Sequence, residues 1–198
     1  MADAGRVIAG SARGIRLRAP GDGTRPMGDR VKQTLFAILE PQLRDARVLD
    51  LFAGSGGGGI EALSRGAAAC WFLERDAGAA QAITGNLERA GLAGPDATVV
   101  RADAIEWLAR TAPDLAPFDV ILIDPPYAQP DLLVGALRRL GDAAAPRILA
   151  PGGVVVAKHF WRSGPPAVIG LLASERERRF GETALTFYRY QARDAEGR

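Results

Sequence analysis

The chain has 198 residues, of which 47% are hydrophobic and 24% charged, with a formal net charge of +2. These values are typical of one compact domain with a substantial core. The N-terminus lacks the apolar run of a signal peptide, and no run approaches the ~20 apolar residues that span a bilayer. We therefore expect a cytoplasmic protein without membrane segments. With one cysteine, Cys70, and one histidine, His159, the sequence excludes a disulfide framework and predicts no metal site.

Charge is distributed unevenly along the chain. Lys/Arg and Asp/Glu number nine and five in residues 1–47, eight and thirteen in residues 48–157, and eight and five in residues 158–198. The basic N-terminal segment suits phosphate contacts and the acidic middle suits a cationic small ligand, although either alone is also consistent with ordinary solvated charges. The residues predicted to contact a phosphate backbone are Arg6, Arg13, Arg16, Arg18, Arg25, Arg30 and Lys32.

The first predicted elements are a hairpin and a helix. Residues 6–8 and 14–17 are predicted to form two short strands joined through Gly10. After a loop at residues 20–28, Asp29 is predicted to cap a helix that carries Val31 and Leu35 on its apolar face and ends near Pro41.

Between residues 47 and 158, short apolar runs alternate with segments of helical periodicity, which is the pattern of an α/β protein with a parallel sheet. The predicted strands are residues 48–52, 71–73, 98–100, 120–123 and 154–157, and the predicted helices are residues 58–65, 77–90, 104–110 and 131–140. Residues 175–180 and 184–190 flank a Gly-Glu-Thr turn, which predicts an antiparallel pair that closes the sheet.

A glycine-rich turn follows the first strand of this region. Residues 48–59 read VLDLFAGSGGGG, an arrangement that lets a ligand lie against bare backbone, although its glycine spacing also fits a dinucleotide fingerprint. Asp50 favours a cationic cofactor over a dinucleotide, because its carboxylate can face the ammonium of a methionine group and would repel a pyrophosphate. The predicted cofactor is therefore S-adenosylmethionine.

Two further acids are placed to hold that cofactor. Glu74 ends the second strand about twenty residues past the turn, where a carboxylate accepts ribose hydroxyls. Asp103 follows the third strand and is suited to an adenine amino group, or alternatively to capping a helix. The predicted cofactor-binding residues are Asp50, Ala53, Gly54, Ser55, Gly56, Glu74, Arg75, Asp103, Ala104 and Asp124.

The strongest signal is the apolar strand that ends in Asp124, Pro125, Pro126 and Tyr127. Two prolines stop the strand ladder, so the carboxylate and a proline carbonyl are expected to point outward at the sheet edge where α/β proteins bind ligands. Two such acceptors can hold the hydrogens of an exocyclic purine amine and favour a nucleophilic, pyramidal nitrogen. We predict these four residues as catalytic, with Tyr127 also stacking on the base. A Pro-Pro turn with an aromatic plug is the alternative interpretation.

With these motifs, the sequence resembles the RsmD-type family of bacterial 16S ribosomal RNA (guanine-N2)-methyltransferases over nearly its whole length. The segments that carry the resemblance are residues 6–10 with Gly14, 25–36, 49–56, 61–67, 124–127 and 183–185. The Arg25-Pro26 and Asp29-Arg30-Val31 segment discriminates best, because the Asp-Pro-Pro-aromatic motif is shared with adenine-N6 and glutamine-N5 methyltransferases.

The resemblance implies a class I, Rossmann-like methyltransferase with a seven-stranded, mostly parallel sheet, an antiparallel last strand and an N-terminal β-hairpin extension that helps to hold RNA. It implies methyl transfer from S-adenosylmethionine to guanine N2 in 16S ribosomal RNA. We expect the protein to act as a monomer, on RNA within a small-subunit particle in which the base is unstacked or flipped out. Arg25 and Arg30 would lie near the site. The expected organisation is a hairpin and helix at residues 1–40, the methyltransferase domain at 41–192 and a disordered tail at 193–198.

Three departures from the family pattern are evident. Gly57 and Gly58 stand where the family commonly has alanine and a larger apolar residue, which predicts a looser turn. Met27 and Gly28 replace a polar pair, and Lys158 stands where an acidic residue is common, so no role is assigned to it.

Three other functions are consistent with part of the sequence. An adenine-N6 methyltransferase acting on DNA or RNA would share the motif, although no domain for reading duplex sequence is evident. An NAD- or FAD-dependent oxidoreductase would use the same glycine turn and Glu74 but would leave Asp124–Tyr127 unexplained. A noncatalytic RNA-binding protein that keeps the methyltransferase fold is the third alternative.

Overall fold

The computed structural model describes residues 2–19, 21, 27–110, 117–145 and 147–191. Arg25, which is among the predicted RNA contacts, and the predicted tail at residues 193–198 lie outside the described residues. Within the described ranges, no helix combines the length and apolar character needed to cross a membrane. The division into segments at residues 1–40 and 41–192 stays a prediction.

The described residues form ten strands and five helices. The strands are β1 (Ala2–Arg6), β2 (Arg16–Ala19), β3 (Arg47–Leu51), β4 (Ala69–Glu74), β5 (Ala97–Arg101), β6 (Phe118–Ile123), β7 (Leu149–Phe160), β8 (Val168–Ile169), β9 (Leu172–Phe180) and β10 (Thr183–Tyr190). The helices are α1 (Asp29–Leu43), α2 (Gly57–Ser64), α3 (Ala77–Ala90), α4 (Ala104–Arg110) and α5 (Pro130–Gly141).

Strands β3 to β10 form one sheet in the order β5-β4-β3-β6-β7-β10-β9-β8, and β1 and β2 form a separate two-stranded sheet. Strands β3 to β7 run parallel to one another, whereas β10 runs antiparallel to both β7 and β9. The predicted fold class is confirmed, but the strand count of seven is wrong. The eighth strand, β8, has two residues, too few for a period-2 pattern, and it exists through pairing with Leu172 and Ala173.

The N-terminal elements are displaced from their predicted bounds. The hairpin strands lie further from Gly10 than predicted, at Ala2–Arg6 and Arg16–Ala19, and between them Val7 pairs with Ile15 and Gly14 through backbone hydrogen bonds of 2.9 Å. Gly10 and Gly14 in this turn both have φ of +86°. Asp29 does not cap α1, which is a second correction. Gly28 occupies the N-cap without a side-chain hydrogen bond, and the Asp29 carboxylate instead pairs with Arg6 at 2.9 Å.

Successive side chains along each strand point to opposite faces of the sheet, so the core consists of two clusters, one on each face. Val48 and Val120 face a cluster that includes α1, α2, α3 and the hairpin, whereas Leu49 and Ile121 face a cluster that includes α4 and α5. Strands buried on both faces read as continuous apolar runs, which explains why these segments were readily predicted.

The small hairpin sheet is attached to α2 by a buried acid and a close backbone contact. The Glu61 side chain, 0% exposed, accepts hydrogen bonds from the backbone N–H groups of Ile8 (2.7 Å) and Ala9 (3.0 Å). A Cβ at Gly10 would lie 1.8 Å from the Ser64 carbonyl oxygen, so only glycine fits there. These contacts place the arginine-bearing hairpin beside the sheet edge described next.

Candidate active site

A cleft of about 1060 Å³ opens at the carboxyl ends of the parallel strands. The glycine turn, the acids after β4 and β5, the Asp-Pro-Pro-Tyr segment and the start of α1 all contribute to its walls. Among its lining residues are Gly28, Lys32, Asp50, Phe52, Gly54, Gly58, Glu74, Asp103, Asp124, Tyr127, Lys158 and Thr183. The tertiary structure thus brings the four predicted catalytic residues and nine of the ten predicted cofactor-binding residues into one cavity, and Gly56 is the one that does not line it.

The turn after β3 exposes backbone to this cleft. Gly54 and Gly56 have φ of +55° and +83°, and Gly56 is the N-cap of α2. Phe52 also has a positive φ, +71°, which is costly for a bulky residue and is typical of strain held at functional sites. Phe52 lines the cleft but carries no sequence signal that identifies it as a site residue.

Asp50 lies at the base of the cleft, 3% exposed. Its Oδ2 accepts a hydrogen bond from the Gly59 N–H at 2.8 Å. The pKa of Asp50 is raised to about 7, mainly by burial; the nearby carboxylates of Asp124 and Glu74 act in the same direction, and the hydrogen bond from Gly59 opposes the rise. A cation bound here would relieve the repulsion among the three acids, which agrees with the predicted role of Asp50.

Gly58 explains why Asp50 can border an open cavity. A Cβ at this position would lie 2.9 Å from Asp50 Oδ2 and 3.0 Å from Leu122 Cδ1. Any side chain at this position would press on both groups, whereas glycine leaves the space beside the carboxylate clear.

The acids after β4 and β5 are held by backbone groups. Glu74 accepts from Gly54 N–H at 2.9 Å through Oε2 and from Asp76 N–H at 2.8 Å through Oε1, which fixes the carboxylate against the glycine turn. Asp103 accepts from the N–H groups of Ile105 and Glu106 through Oδ1, so it caps α4 as well as lining the cleft. Oδ1 of Asp103 therefore caps the helix, which is the alternative role that the sequence predicted.

The remaining predicted cofactor residues lie on the same wall. Ala53, Ser55 and Ala104 are buried, and Arg75 reaches Gln129 Oε1 at 3.3 Å. Together these side chains fit a cofactor with a positively charged amino acid end, a ribose and a base: carboxylates for the charge and the hydroxyls, and bare backbone between them. This set of acceptors fits S-adenosylmethionine better than a dinucleotide, whose phosphates the acids would repel.

Asp124 is paired with a lysine that the sequence did not identify as functional. Lys158 Nζ lies 2.5 Å from Asp124 Oδ1, and the two side chains are 12% and 26% exposed. Burial raises the pKa of Asp124 and the lysine opposes that rise. Burial lowers the pKa of Lys158, but Asp124 and Tyr127 outweigh burial and raise it above its ordinary value. The pair is a charged one in which each partner supports the ionised form of the other.

Tyr127 stands beside this pair. Its ring is 39% exposed, Lys158 Nζ lies 4.7 Å from the ring centroid, and the phenol oxygen lies 2.7 Å from Thr183 Oγ1. The Pro126 carbonyl accepts a hydrogen bond from Gln129 N–H at 2.9 Å. An exposed ring anchored by its hydroxyl is suited to stack on a planar group that enters the cleft.

Of the predicted phosphate-binding residues, Arg6, Arg13, Arg16, Arg18 and Arg30 are exposed. Arg6 and Arg16 also form surface ion pairs, with Asp29 and Asp3 respectively. Lys32 is different, because it is 2% exposed and donates to the Arg6 carbonyl at 2.8 Å. Lys32 therefore joins α1 to the hairpin beside the cleft, and its contact with RNA phosphate stays a prediction.

The strand order, the glycine turn after the first parallel strand, the acids after the next two and the Asp-Pro-Pro-Tyr segment after the fourth define an S-adenosylmethionine-dependent methyltransferase of class I. The particular family follows from comparison with known proteins. The model of the family described as conserved hypothetical protein 95 matches residues 5–189, and the chain belongs to this family.

Individual relatives support the assignment to this family. The ribosomal RNA small subunit methyltransferase D of Escherichia coli is 36% identical over 193 residues, which cover 97% of this chain and 91% of that protein. The Bacillus subtilis protein YlbH is 40% identical over 185 residues, 93% of this chain and 98% of the relative. The predicted resemblance is thereby confirmed.

Solved structures support the same conclusion. The Escherichia coli protein yhhF superposes with a TM-score of 0.83 at 34% identity, and the match covers 97% of this chain and 100% of that one. A more distant structure, complexed with SAH, has a TM-score of 0.63 at 14% identity and shows the likeness of the fold alone.

Proposed function

We propose that this chain transfers a methyl group from S-adenosylmethionine to the exocyclic N2 amino group of a guanine in 16S ribosomal RNA. The observation that carries the proposal is the common cleft in which Asp124 and Tyr127 face the glycine turn and Asp50. The named activity of the Escherichia coli relative supports the RNA substrate.

In this proposal the chain binds its cofactor through Asp50, Glu74, Asp103 and the glycine turn. When bound, S-adenosylmethionine supplies an electrophilic methyl group. The carboxylate of Asp50 accepts hydrogen bonds from the ammonium, that of Glu74 from the ribose hydroxyls, and that of Asp103 from the adenine amino group. Phe52 and the glycine backbone close the lower wall and exclude water.

Asp124 and the Pro125 carbonyl hold the two hydrogens of the substrate amine. The Pro126 carbonyl is already occupied by Gln129 N–H, so the Pro125 carbonyl is the one assigned to the substrate. Lys158 keeps the Asp124 carboxylate ionised despite its partial burial, and an ionised acceptor binds an N–H group more strongly than a protonated one. Tyr127 stacks on the base and holds the nitrogen in line with the methyl donor.

The exposed arginines of the hairpin and the start of α1 bind the RNA backbone. Ala4, Gly21, Met27 and Gly28 from this N-terminal part line the cleft, so phosphates held by Arg6 and Arg30 would flank the base in the site. Binding of this kind releases counterions and weakens steeply with salt. The protein acts as a monomer in the cytoplasm, on an assembling small-subunit particle in which the guanine is already unstacked or is flipped out.

The test is methyl transfer from radiolabelled S-adenosylmethionine to 16S ribosomal RNA, free and within small-subunit particles purified from a deletion strain. Mass spectrometry of the product identifies the base. Labelled N2-methylguanine at a single position supports the proposal. Label on adenine N6 would replace it with the alternative substrate, and absence of transfer to either form of the RNA contradicts it.

A further inference from the structure

Beyond the cleft, three aromatic side chains lie side by side at the end of β7: Tyr127, Phe160 and Trp161. The ring centroids of Tyr127 and Phe160 are 6.5 Å apart, and those of Phe160 and Trp161 are also 6.5 Å apart. We call these three residues the aromatic path. Tyr127 is exposed and the other two are half-buried, and none of the three belongs to either core cluster. Their rings are therefore not needed to fill the interior.

Two arginines stack at the far end of the aromatic path. Arg179 Cζ lies 3.4 Å and Arg162 Cζ 4.9 Å from the centroid of the Trp161 ring. Both residues are exposed, and neither forms an ion pair with a carboxylate in the described part of the chain. Arg179 Nε donates to the Gly181 carbonyl at 3.0 Å, which holds the guanidinium over the ring. Cationic groups that lack acidic partners remain available to an anion.

The aromatic path is connected to the catalytic cleft by the β9–β10 turn. The backbone N–H of Trp161 donates to the Glu182 carbonyl at 3.0 Å, and Phe180, Glu182 and Thr183 line the cleft. Thr183 also pairs with the Tyr127 hydroxyl. An RNA strand whose target base lies in the cleft can therefore continue over Phe160 and Trp161 without leaving the protein surface.

Resting on the function proposed above, we infer that the aromatic path with Arg162 and Arg179 is a second RNA-binding surface, which takes single-stranded nucleotides adjacent to the target guanine. Aromatic rings stack on unpaired bases, and arginines beside them bind the phosphates between those bases. The N-terminal arginines bind RNA backbone, whereas the aromatic path requires unstacked bases. The two surfaces thus select a guanine in a single-stranded segment next to folded RNA.

The experiment measures binding of a short single-stranded RNA and of the corresponding duplex by fluorescence anisotropy over a range of salt concentrations. Trp161→Leu is expected to weaken single-strand binding about five- to a hundredfold, and Trp161→Phe, which keeps a ring, to retain most of it. Arg179→Ala is expected to lower the slope of log affinity against log salt by about 1. Arg138→Ala, an exposed arginine on α5, is the matched control and is expected to change nothing.

Cofactor binding by calorimetry verifies that each variant is folded, and methyl transfer separates this inference from the function on which it rests. The expected result is a raised KM for RNA at unchanged kcat in Trp161→Leu and Arg179→Ala. Wild-type affinity and KM in both variants overturn the second surface. Loss of activity on particles with unchanged affinity for free RNA also overturns it, because the surface then contacts protein. A wild type that binds RNA but never methylates it contradicts the proposed function alone.

Discussion

Lys158 Nζ lies 2.5 Å from Asp124 Oδ1, although the two residues are 34 positions apart in the chain. The contact arises because β6 and β7 are parallel neighbours in which Ile123 is paired with Ala157, so the next residue of each strand reaches the sheet edge at the same level. The charge at the catalytic carboxylate is thus set by a position outside the Asp-Pro-Pro-Tyr motif.

Lys158→Met is expected to move the acidic limb of the activity–pH profile to higher pH. Burial raises the pKa of Asp124 and the lysine opposes that rise, so without the lysine the carboxylate is protonated at a higher pH. Activity that needs the ionised form is then lost earlier as pH falls. The measurement is kcat/KM for methyl transfer against pH. Lys158→Arg retains the cation and serves as control, and identical limbs in all three proteins would falsify the role of the pair.

Asp124→Ala is expected to lower methyl transfer on the order of 100-fold or more while leaving affinity for S-adenosylmethionine nearly unchanged. The reason is that Asp124 holds the substrate amine, whereas Asp50 and Glu74 are held separately by Gly59 and Gly54. Single-turnover transfer and cofactor calorimetry give the two quantities. Turnover that survives the substitution contradicts the assignment of Asp124 as the acceptor.

Binding of S-adenosylmethionine near pH 7 is expected to release about half a proton, because the pKa of Asp50 is about 7 and a bound ammonium lowers it. Calorimetry in buffers of different ionisation enthalpy measures this release. Adenosine, which lacks the ammonium, is the control ligand and is expected to release none. Equal proton release with both ligands would show that Asp50 does not contact the cation.

Asp50 also makes the stability of the ligand-free protein depend on pH. Because its folded pKa is raised from 3.8 to about 7, the folded state binds more protons than the unfolded state in this window. The contribution of Asp50 to stability is therefore present below about pH 4 and is lost as pH rises toward 7. Asp50→Asn is expected to flatten this dependence in denaturant titrations, and an unchanged slope between wild type and variant contradicts the assignment.

Tyr127→Ala is expected to raise KM for RNA about ten- to a hundredfold through loss of base stacking. Tyr127→Phe keeps the ring and removes the hydroxyl that pairs with Thr183 at 2.7 Å, so a smaller effect is expected. Steady-state kinetics on 16S ribosomal RNA distinguishes the two variants. Equal losses would assign the role to the hydroxyl rather than to the ring.

Gly59→Ala and Gly85→Ala are expected to change stability in opposite directions. A Cβ at Gly59 would lie 2.3 Å from Phe72 Cε1 and 2.5 Å from Cys70 Sγ, which is overpacking that costs about 1–3 kcal/mol. Gly85 lies within α3 with no other atoms within 4 Å of an added Cβ, so alanine there stabilises the helix by about 0.5–1 kcal/mol. Urea titrations measure both, and a neutral Gly59→Ala would mean that α2 can move away from β4.

Much of the fold was predictable because its signals are local. Helix α3 has the predicted bounds, since Asp76 caps its start by accepting from Ala79 N–H and Gly91, with φ of +67°, ends it. The apolar runs of the parallel strands and the two prolines after Asp124 act through neighbouring residues in the same way. For this reason the sequence alone identified the fold class, the glycine turn and the Asp-Pro-Pro-Tyr segment.

The tertiary structure decided the contacts between residues that are distant in the chain. Strand register paired Lys158 with Asp124, helix packing buried Lys32 against the Arg6 carbonyl, and the β9–β10 turn brought Arg179 over Trp161. Nothing in the residues around any of these positions encodes its partner, because an ion pair or a stack depends on distances that the whole sheet sets. The sequence by itself determined which chemistry the chain carries, and the packing of its strands and helices decided the charge and the surroundings in which that chemistry operates.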